Sequence, residues 1–436
     1  MNAAQPIAEA PAADLDRLAH RVRWGAGSKL AAELTGRALQ FLLAYLGQRT
    51  LGPEVYGQFT YALAVGFVLA PLTDLGLQLM VTREVARDAA RAAEIMRAGL
   101  ALKSILTLAI SAPLIAVSLT RPPELQAATL ALSLAMIFNA FVEFLGYAFR
   151  GRQQVERDAA LTLLMRLATF GLGAWSLASG QGLMGLAGAY VIGGGVTAIL
   201  GYVWLRKETT ASRTSLDLTH AWALLRQALP LGGAILFSIA YTRTAVFVLD
   251  ARSGAEAVGL FGVAQKLIEP LAIIPAALMA AVFPAFTHRL AMADDRADGL
   301  RARSIRWLAG TGAAIACAAL AGGPWLIETL YGGQYAGSEA AVQILGLAAL
   351  PTFVNYALTH FLIALNRQRL NLIFNVIVFG LNLALCLILI PRFGPTGAAA
   401  AVLISECVLF VLCRRALPSQ SRQPEPRSGE REASWS

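Results

Sequence analysis

Residues 370–413 read LNLIFNVIVFGLNLALCLILIPRFGPTGAAAAVLISECVLFVLC. Two apolar runs, 370–391 and 395–413, follow one another with only a short break, and each has about the 20 residues that a helix needs to cross a bilayer. The whole chain of 436 residues is 57% hydrophobic and 14% charged, with a mean hydropathy of +0.59. Soluble domains carry nearer 25% charged residues, so the composition argues against a soluble enzyme.

Runs of the same kind recur along the chain and predict about twelve transmembrane helices, at roughly 28–49, 58–80, 99–119, 125–149, 158–178, 183–205, 227–250, 259–286, 307–330, 341–365, 370–391 and 395–413. We therefore predict an all-α membrane protein. Its predicted parts are a cytoplasmic N-terminal segment 1–25, an N-terminal six-helix lobe 26–206, a cytoplasmic linker 207–225, a C-terminal six-helix lobe 226–415 and a disordered cytoplasmic tail 416–436.

The distribution of basic residues predicts the orientation of these helices. Alternate loops are rich in arginine, as in the loop after the second helix with Arg83, Arg87, Arg91 and Arg97. The loops on the other side hold only Arg49, Arg121, Arg252 and Arg392. By the positive-inside rule, both termini face the cytoplasm, and the protein lies in a bacterial inner membrane. The net charge of +9 thus reflects topology, and we predict no nucleic-acid partner.

The two halves of the chain resemble each other in three places. Gly52-Pro-Glu-Val-Tyr-Gly-Gln-Phe59 matches Gly254-Ala-Glu-Ala-Val-Gly-Leu-Phe261, and Gly182-Leu-Met-Gly-Leu-Ala187 matches Gly394-Pro-Thr-Gly-Ala-Ala399. Arg152-Gln153 matches Arg367-Gln368. The order is the same in both halves, so we predict a duplication. Six helices per half is an even number, which makes the two repeats parallel around a central cavity.

Three motifs near the start carry a resemblance to a known family: Leu51-Gly-Pro-Glu-Val-Tyr-Gly-Gln-Phe59, Asp74-Leu-Gly76 and Thr82-Arg-Glu-Val-Ala-Arg87. Their order resembles polysaccharide and O-antigen flippases of the multidrug/oligosaccharidyl-lipid/polysaccharide exporter superfamily. The resemblance implies movement of a polyprenyl-pyrophosphate-linked oligosaccharide from the cytoplasmic to the periplasmic leaflet. It also implies membrane lipids, a polysaccharide polymerase and assembly proteins as partners.

Charged residues inside the predicted helices are the candidates for substrate contact, because a charge in a bilayer needs a cavity or a partner. On the first helix, Lys29, Glu33 and Arg37 share one face. They are interpreted either as the polar wall of a water-filled cavity or as a ladder of ion pairs at the cytoplasmic end. Arg37 lies too deep to snorkel easily to the interface.

The seventh helix, the counterpart of the first, carries Arg243. The eighth helix carries Lys266 and Glu269, interpreted either as a local ion pair or as ligand-facing charges, and Pro270 is predicted to kink it. For Arg243 a structural ion pair, with Asp250 or with an acid on the eighth helix, is the alternative to a role in binding. If the family resemblance holds, Arg37 and Arg243 are expected to hold the pyrophosphate between the lobes, because the guanidinium fork matches phosphate oxygens. Alternating access is then a rocking of the lobes.

A proton or sodium gradient is the expected drive, and Glu143 and Asp74 are the candidates for ion coupling. Glu143 is central in the fourth helix, where its carboxylate needs a partner or a proton, while Asp74 is alternatively a cap for the bend at Gly76. Glu406 and Arg166 are weaker candidates. Asn371, Asn375 and Asn382 form a stripe that is more typical of contacts between helices than of a sugar site.

Two other classes of protein compete with a flippase. An ion-coupled multidrug exporter shares the superfamily fold, but its cationic cargo favours an acidic cavity. A membrane glycan polymerase or ligase would need a large outer loop with catalytic residues, and the predicted outer loops are short. None of the four histidines lies in a catalytic or metal-binding pattern, and no Gly-rich phosphate loop is present. We therefore predict no enzymatic activity and no cofactor.

Overall fold

The computed structural model describes residues 12–88, 91–209, 218–292, 294 and 296–417. Within these residues the chain is built from helices and short 3-10 turns, and no strand occurs. The α-helices are α1 (Ala12–Leu69), α2 (Leu77–Arg87), α3 (Ala92–Leu119), α4 (Pro123–Gly151), α5 (Val155–Ala178), α6 (Gly182–Thr209), α7 (Leu218–Ile268), α8 (Ile273–Ala291), α9 (Arg296–Tyr331), α10 (Glu339–Ala364) and α11 (Gln368–Ala416).

Three of the apolar helical stretches are too long for one crossing of a membrane. They cover 47, 53 and 49 residues, at Gly27–Thr73, Ile239–Ala291 and Gln368–Ala416. At 1.5 Å per residue each would be about 70–80 Å long, more than twice the thickness of a hydrocarbon core. A glycine outside helical geometry divides each one, at Gly52, Gly254 and Gly394.

Nine apolar stretches long enough to span a membrane occur in the described residues. With the three divided stretches counted as two crossings each, they give twelve transmembrane segments. The predicted all-α membrane fold of about twelve helices is confirmed.

The helix ends differ from the prediction where polar residues flank the apolar runs. The first helix already begins at Ala12, the seventh at Leu218 and the ninth at Arg296. These polar ends extend the helices beyond the apolar runs, and an apolar-length criterion does not detect them. Residues 1–11 of the predicted segment 1–25, residues 210–217 of the linker 207–225, and 418–436 of the tail 416–436 lie outside the described residues.

The duplication is visible in the backbone. Gly52 and Gly254 have nearly the same dihedral angles, with φ of 75° and 83° and ψ of 171° and 177°. Gly182 and Gly394 also both have positive φ, 62° and 53°. Since φ in this range is strained for residues with a Cβ, glycine is retained at both members of each pair.

The third predicted match is out of register by two residues. The turn after α4 places Gln153 at a φ of 61°, and the turn after α10 places Asn366 at 57°. The next amide donates to a carbonyl five residues back in both turns, from Gln154 to Phe149 and from Arg367 to Leu362. The structural partner of Gln153 is therefore Asn366, and the shared Arg-Gln letters are a coincidence of sequence.

A further correspondence interrupts the second helix of each half. Short 3-10 turns, Ala70–Thr73 and Glu269–Ala272, each have proline at their second position, Pro71 and Pro270. The predicted kink at Pro270 is confirmed. In the first half the break continues through Leu75 and Gly76, which have φ of 48° and 85°.

The chain divides into two compact units. Unit 1 comprises residues 1–50 and 65–236, and unit 2 comprises 51–64 and 237–436. The core of unit 1 joins α2, α3, α4 and α5 through buried side chains such as Val81, Met96, Phe144 and Leu161. The core of unit 2 joins α8, α9 and α10 through Phe286, Leu308 and Phe361.

Candidate functional site

Lys29 of the first helix lies in a network of polar groups inside unit 1. Its Nζ is 3.1 Å from Glu33 Oε1 and 3.1 Å from Asp158 Oδ2, and it donates to Thr162 Oγ1 at 2.8 Å. Asp158 is almost completely buried, whereas the Glu33 side chain is 44% exposed. The contacts of Lys29 thus match the ion-pair alternative, with an acid of α5 as the buried partner.

Asp158 also binds a second cation, the guanidinium of Arg150 at the end of α4. The distance from Arg150 Nε to Asp158 Oδ2 is 2.6 Å, and the guanidinium stacks 4.2 Å from the ring of Tyr147. Gly146 leaves the room for this carboxylate, because a side chain there would overlap Asp158 Oδ1. One buried acid therefore ties the first helix, α4 and α5 together.

Arg37 is exposed, and no other side chain among the described residues forms an ion pair or hydrogen bond with it. The side chain of Arg166 packs over the neighbouring Gly36, where an added Cβ would lie 2.9 Å from Arg166 Cγ. Arg37 and Arg166 are close enough to repel each other, and Glu33 and Glu143 are the acids in electrostatic range of Arg166. Two guanidinium groups thus share one region of unit 1.

Glu143 lies within α4 and has exposed side-chain surface. Arg166, Lys103 and Arg150 attract its charge, and Asp74 repels it. Cations from α3, α4 and α5 thus lie in electrostatic range of this carboxylate, and none of them forms an ion pair with it among the described residues. Its accessibility distinguishes it from the buried Asp158.

Lys103 of α3 and Asp74 form a buried ion pair beside the break in the second helix. The Lys103 side chain has no exposed surface, and its Nζ lies 3.6 Å from Asp74 Oδ2 and 3.3 Å from Thr73 Oγ1. The rings of Phe141 and Phe144 lie 5.2 and 5.7 Å from the ammonium group. Asp74 Oδ1 also accepts from the amide of Gln78, which agrees with the predicted cap of the bend.

In unit 2 the structure brings Arg243, Lys266 and Glu269 together. The Arg243 Nη2 lies 3.9 Å from Glu269 Oε1, and Lys266 Nζ lies 3.7 Å from Glu269 Oε2. The Arg243 side chain is 14% exposed, while those of Lys266 and Glu269 are 39% and 45% exposed. The acid of the eighth helix that the sequence suggested for Arg243 is Glu269, and it is shared between two cations.

The sequence analysis did not single out Lys103 or Asp158, and it treated Arg166 as a weaker candidate. A periodicity signal for two of them was present, since Asp158, Thr162 and Arg166 are spaced by four residues and share one face of α5. Lys103 is a lone charge within an apolar run, which marks it as a residue with a partner. Of the asparagine stripe on α11, Asn382 donates to Ser405 Oγ across the break at Gly394.

Comparisons with known proteins agree with this architecture. The family model described as polysaccharide biosynthesis protein matches residues 23–289, more than half of the chain. No curated protein matches the sequence significantly.

Solved structures of transporters share the fold at low sequence identity. An inward-facing multidrug resistance MATE family transporter of the MOP superfamily has a TM-score of 0.71 and 17% identity, over 87% of this chain and 94% of that chain. Lipid II flippase MurJ, in an inward closed conformation, has a TM-score of 0.65 and 14% identity, over 89% of this chain and 87% of that chain. A MOP superfamily transporter from Pyrococcus furiosus has a TM-score of 0.56 and 14% identity, over 91% and 94%.

The family match covers the first six helices and the start of the second half, and the structural similarity extends over most of the chain. The chain belongs to the polysaccharide biosynthesis protein family, as a multi-pass membrane protein with the fold of MOP superfamily transporters and flippases.

Proposed function

We propose that this protein is a flippase that moves a polyprenyl-pyrophosphate-linked oligosaccharide from the cytoplasmic to the periplasmic leaflet of the bacterial inner membrane, for assembly of cell-surface polysaccharide. The observation that carries the proposal is the pair of guanidinium groups of Arg37 and Arg166 in unit 1. They repel each other, and Arg37 is exposed without an ion pair among the described residues.

A pyrophosphate headgroup would complement the two guanidinium groups. An anion beside two like charges lowers their repulsion, as Glu33 and Glu143 already do for Arg166. Arginine presents several N–H donors in a plane, which suits bidentate contact with phosphate oxygens. Arg37 is open to such a ligand, and Arg166 lies next to it over Gly36.

Unit 2 offers a second basic group of the same kind. Arg243 and Lys266 both lie beside the carboxylate of Glu269. Their guanidinium and ammonium groups supply N–H donors of the kind that suits an anionic headgroup. Arg243, Lys266 and Glu269 are therefore proposed as substrate-contacting residues, together with Arg37, and with Lys29 and Glu33 at the edge of the unit 1 network.

Glu143 is proposed as the ion-coupling residue of unit 1. It has exposed side-chain surface and lies in electrostatic range of Arg166. A proton on Glu143 would remove an acid that now offsets the Arg166 charge, and would strengthen anion binding there. Asp74, the other coupling candidate, has a buried lysine partner, so its proposed role depends on opening of the Lys103 pair.

The experiment is the deletion of this protein in its native cell. Lipid-linked oligosaccharide should accumulate on the cytoplasmic leaflet, while the glycosyltransferases that build it stay active. A deletion strain that makes no lipid-linked intermediate would point to an enzyme instead. A strain that assembles normal surface polysaccharide but becomes sensitive to cationic drugs would point to a multidrug exporter.

A further inference from the structure

A buried polar cluster of unit 2 centres on Glu406, which is not one of the residues proposed to contact the substrate. Glu406, in the last segment of α11, is buried, and two side chains donate to its carboxyl. Tyr241 of α7 bonds Oε1 at 3.1 Å, and Asn355 of α10 bonds Oε2 at 2.8 Å. Asn355 also donates to the backbone carbonyl of Glu406 at 2.8 Å, so the carboxyl and its helix are held by the same amide.

The groups around this carboxyl are neutral. Thr352 of α10 lies nearby, and the titratable groups in range are Tyr241 of α7 and the thiols Cys407 and Cys413 of α11. Cys386, also on α11, lies near the Tyr241 hydroxyl. Val354, Leu358, Leu409 and partly buried side chains of α9 form the apolar wall. No cation within the described residues forms an ion pair with Glu406.

An ionised carboxylate in such a site is costly, because neutral hydrogen bonds replace only part of the solvation lost in the membrane interior. A second observation indicates a missing donor. Asn355 Oδ1 is buried and has no hydrogen-bond partner in the described part of the chain. A carboxylic acid at position 406 would carry one O–H donor, which is the group that a buried acceptor beside it lacks.

We propose that Glu406 is a proton-binding site of unit 2, at which one proton converts the carboxylate to a carboxylic acid. Tyr241 lies two residues before Arg243 on α7, so the proton at Glu406 and the guanidinium proposed to contact the headgroup are carried by the same helix. The coupling role of this proton rests on the proposed flippase function. Proton binding itself does not, since it is a property of the purified protein without substrate.

The test is infrared spectroscopy of the purified full-length protein in lipid nanodiscs, because a carboxylic acid and a carboxylate absorb at different frequencies. Wild type should show a buried carboxylic acid band that is lost in Glu406→Gln and that declines when the pH is raised far enough to ionise the carboxyl. The matched control Glu328→Gln, an exposed carboxylate on α9, should keep the band. Tyr241→Phe should keep the carboxyl but shift its band, because one hydrogen bond to it is lost.

One result would overturn the proposal. A carboxylic acid region that is the same in wild type and Glu406→Gln at every pH would mean that the carboxyl stays ionised. If the band behaves as expected but the deletion strain shows normal flipping, the proton site stands and the flippase function fails.

Discussion

Gly57 and Gly259 occupy the same place in the two repeats and lie against each other's helices within unit 2. A Cβ on Gly57 would overlap the carbonyl of Ala255, and a Cβ on Gly259 would overlap the carbonyl of Pro53. The relationship is reciprocal, as expected where two copies of one motif meet about a local two-fold axis. It also explains why residues 51–64 pack with the second half of the chain.

Either glycine is expected to be intolerant of alanine. Gly57→Ala or Gly259→Ala forces two backbones apart, and overpacking of this kind costs about 1–3 kcal/mol. Both variants should lower the thermal unfolding midpoint of the detergent-solubilised protein. Gly262→Ala is the matched control, because a Cβ there would meet its nearest atom at 3.5 Å. Equal melting of all three variants would contradict the close crossing.

The basic groups should be needed for transport. Arg37→Ala and Arg243→Ala are each expected to abolish or greatly reduce flipping, measured by the leaflet in which lipid-linked oligosaccharide resides, at normal protein levels. Arg49→Ala and Arg252→Ala, exposed arginines on the same helices, are the controls. Partial activity of Arg37→Lys would indicate a general electrostatic role, and no activity would indicate bidentate phosphate contact. Full transport by both alanine variants would place the headgroup elsewhere.

The losses of stability caused by substituting Lys103 and Asp74 should be strongly non-additive. Lys103→Met or Asp74→Asn alone leaves a buried charge without its partner, and such changes cost about 3–5 kcal/mol. The double variant removes both charges and should recover most of the lost thermal stability. A double variant as unstable as the two losses combined would show that the two residues act independently. A stable double variant without transport would support ion coupling at Asp74.

Asp158 should contribute more to stability than Glu33, the acid that the sequence analysis placed beside Lys29. Asp158→Asn leaves both Lys29 and Arg150 without their buried carboxylate, whereas Glu33→Gln removes a half-exposed partner of Lys29 only. Exposed pairs contribute less than about 1 kcal/mol, so Glu33→Gln should melt within a few degrees of wild type and Asp158→Asn well below it. The reverse order of melting temperatures would refute the assignment of Asp158 as the centre of the network.

The predicted orientation is tested by reporter fusions. Fusions after Arg91, Arg213 and Arg415 should report the cytoplasm, and fusions near Arg121, Gly254 and Tyr335 should report the periplasm. The expectation follows from the arginine-rich alternate loops. A periplasmic signal after Arg415 would be incompatible with twelve crossings that start in the cytoplasm.

Apolar run length was enough to predict the helix number, because a bilayer imposes one length on every crossing. The same rule explains why the helix starts at Ala12, Leu218 and Arg296 were predicted too late, because these helices continue beyond the hydrocarbon core of the membrane. Comparison of the two halves of the sequence paired the glycines correctly, because their positive φ values require glycine in both repeats. It failed at Gln153 and Asn366, because two different residues adopt the same left-handed turn.

The candidate site was harder to predict than the fold, because a partner on another helix leaves no local pattern. Arg243, Lys266 and Glu269 were grouped correctly because they are charges on two helices that are consecutive in the chain. Asp158 was missed because its cations come from the first helix and α4, at very different separations in sequence.

The prolines at positions 71 and 270 give the second helix of each repeat an uneven stiffness. A continuous helix resists bending along its whole length, but proline removes one N–H from the hydrogen-bond ladder and sets a weak point there. Each of these helices therefore has a weak point at its 3-10 turn, where the prolines come 19 and 16 residues after the glycine breaks at Gly52 and Gly254. Bending of either helix is therefore expected to occur at its proline turn, while the segments on either side keep their packing.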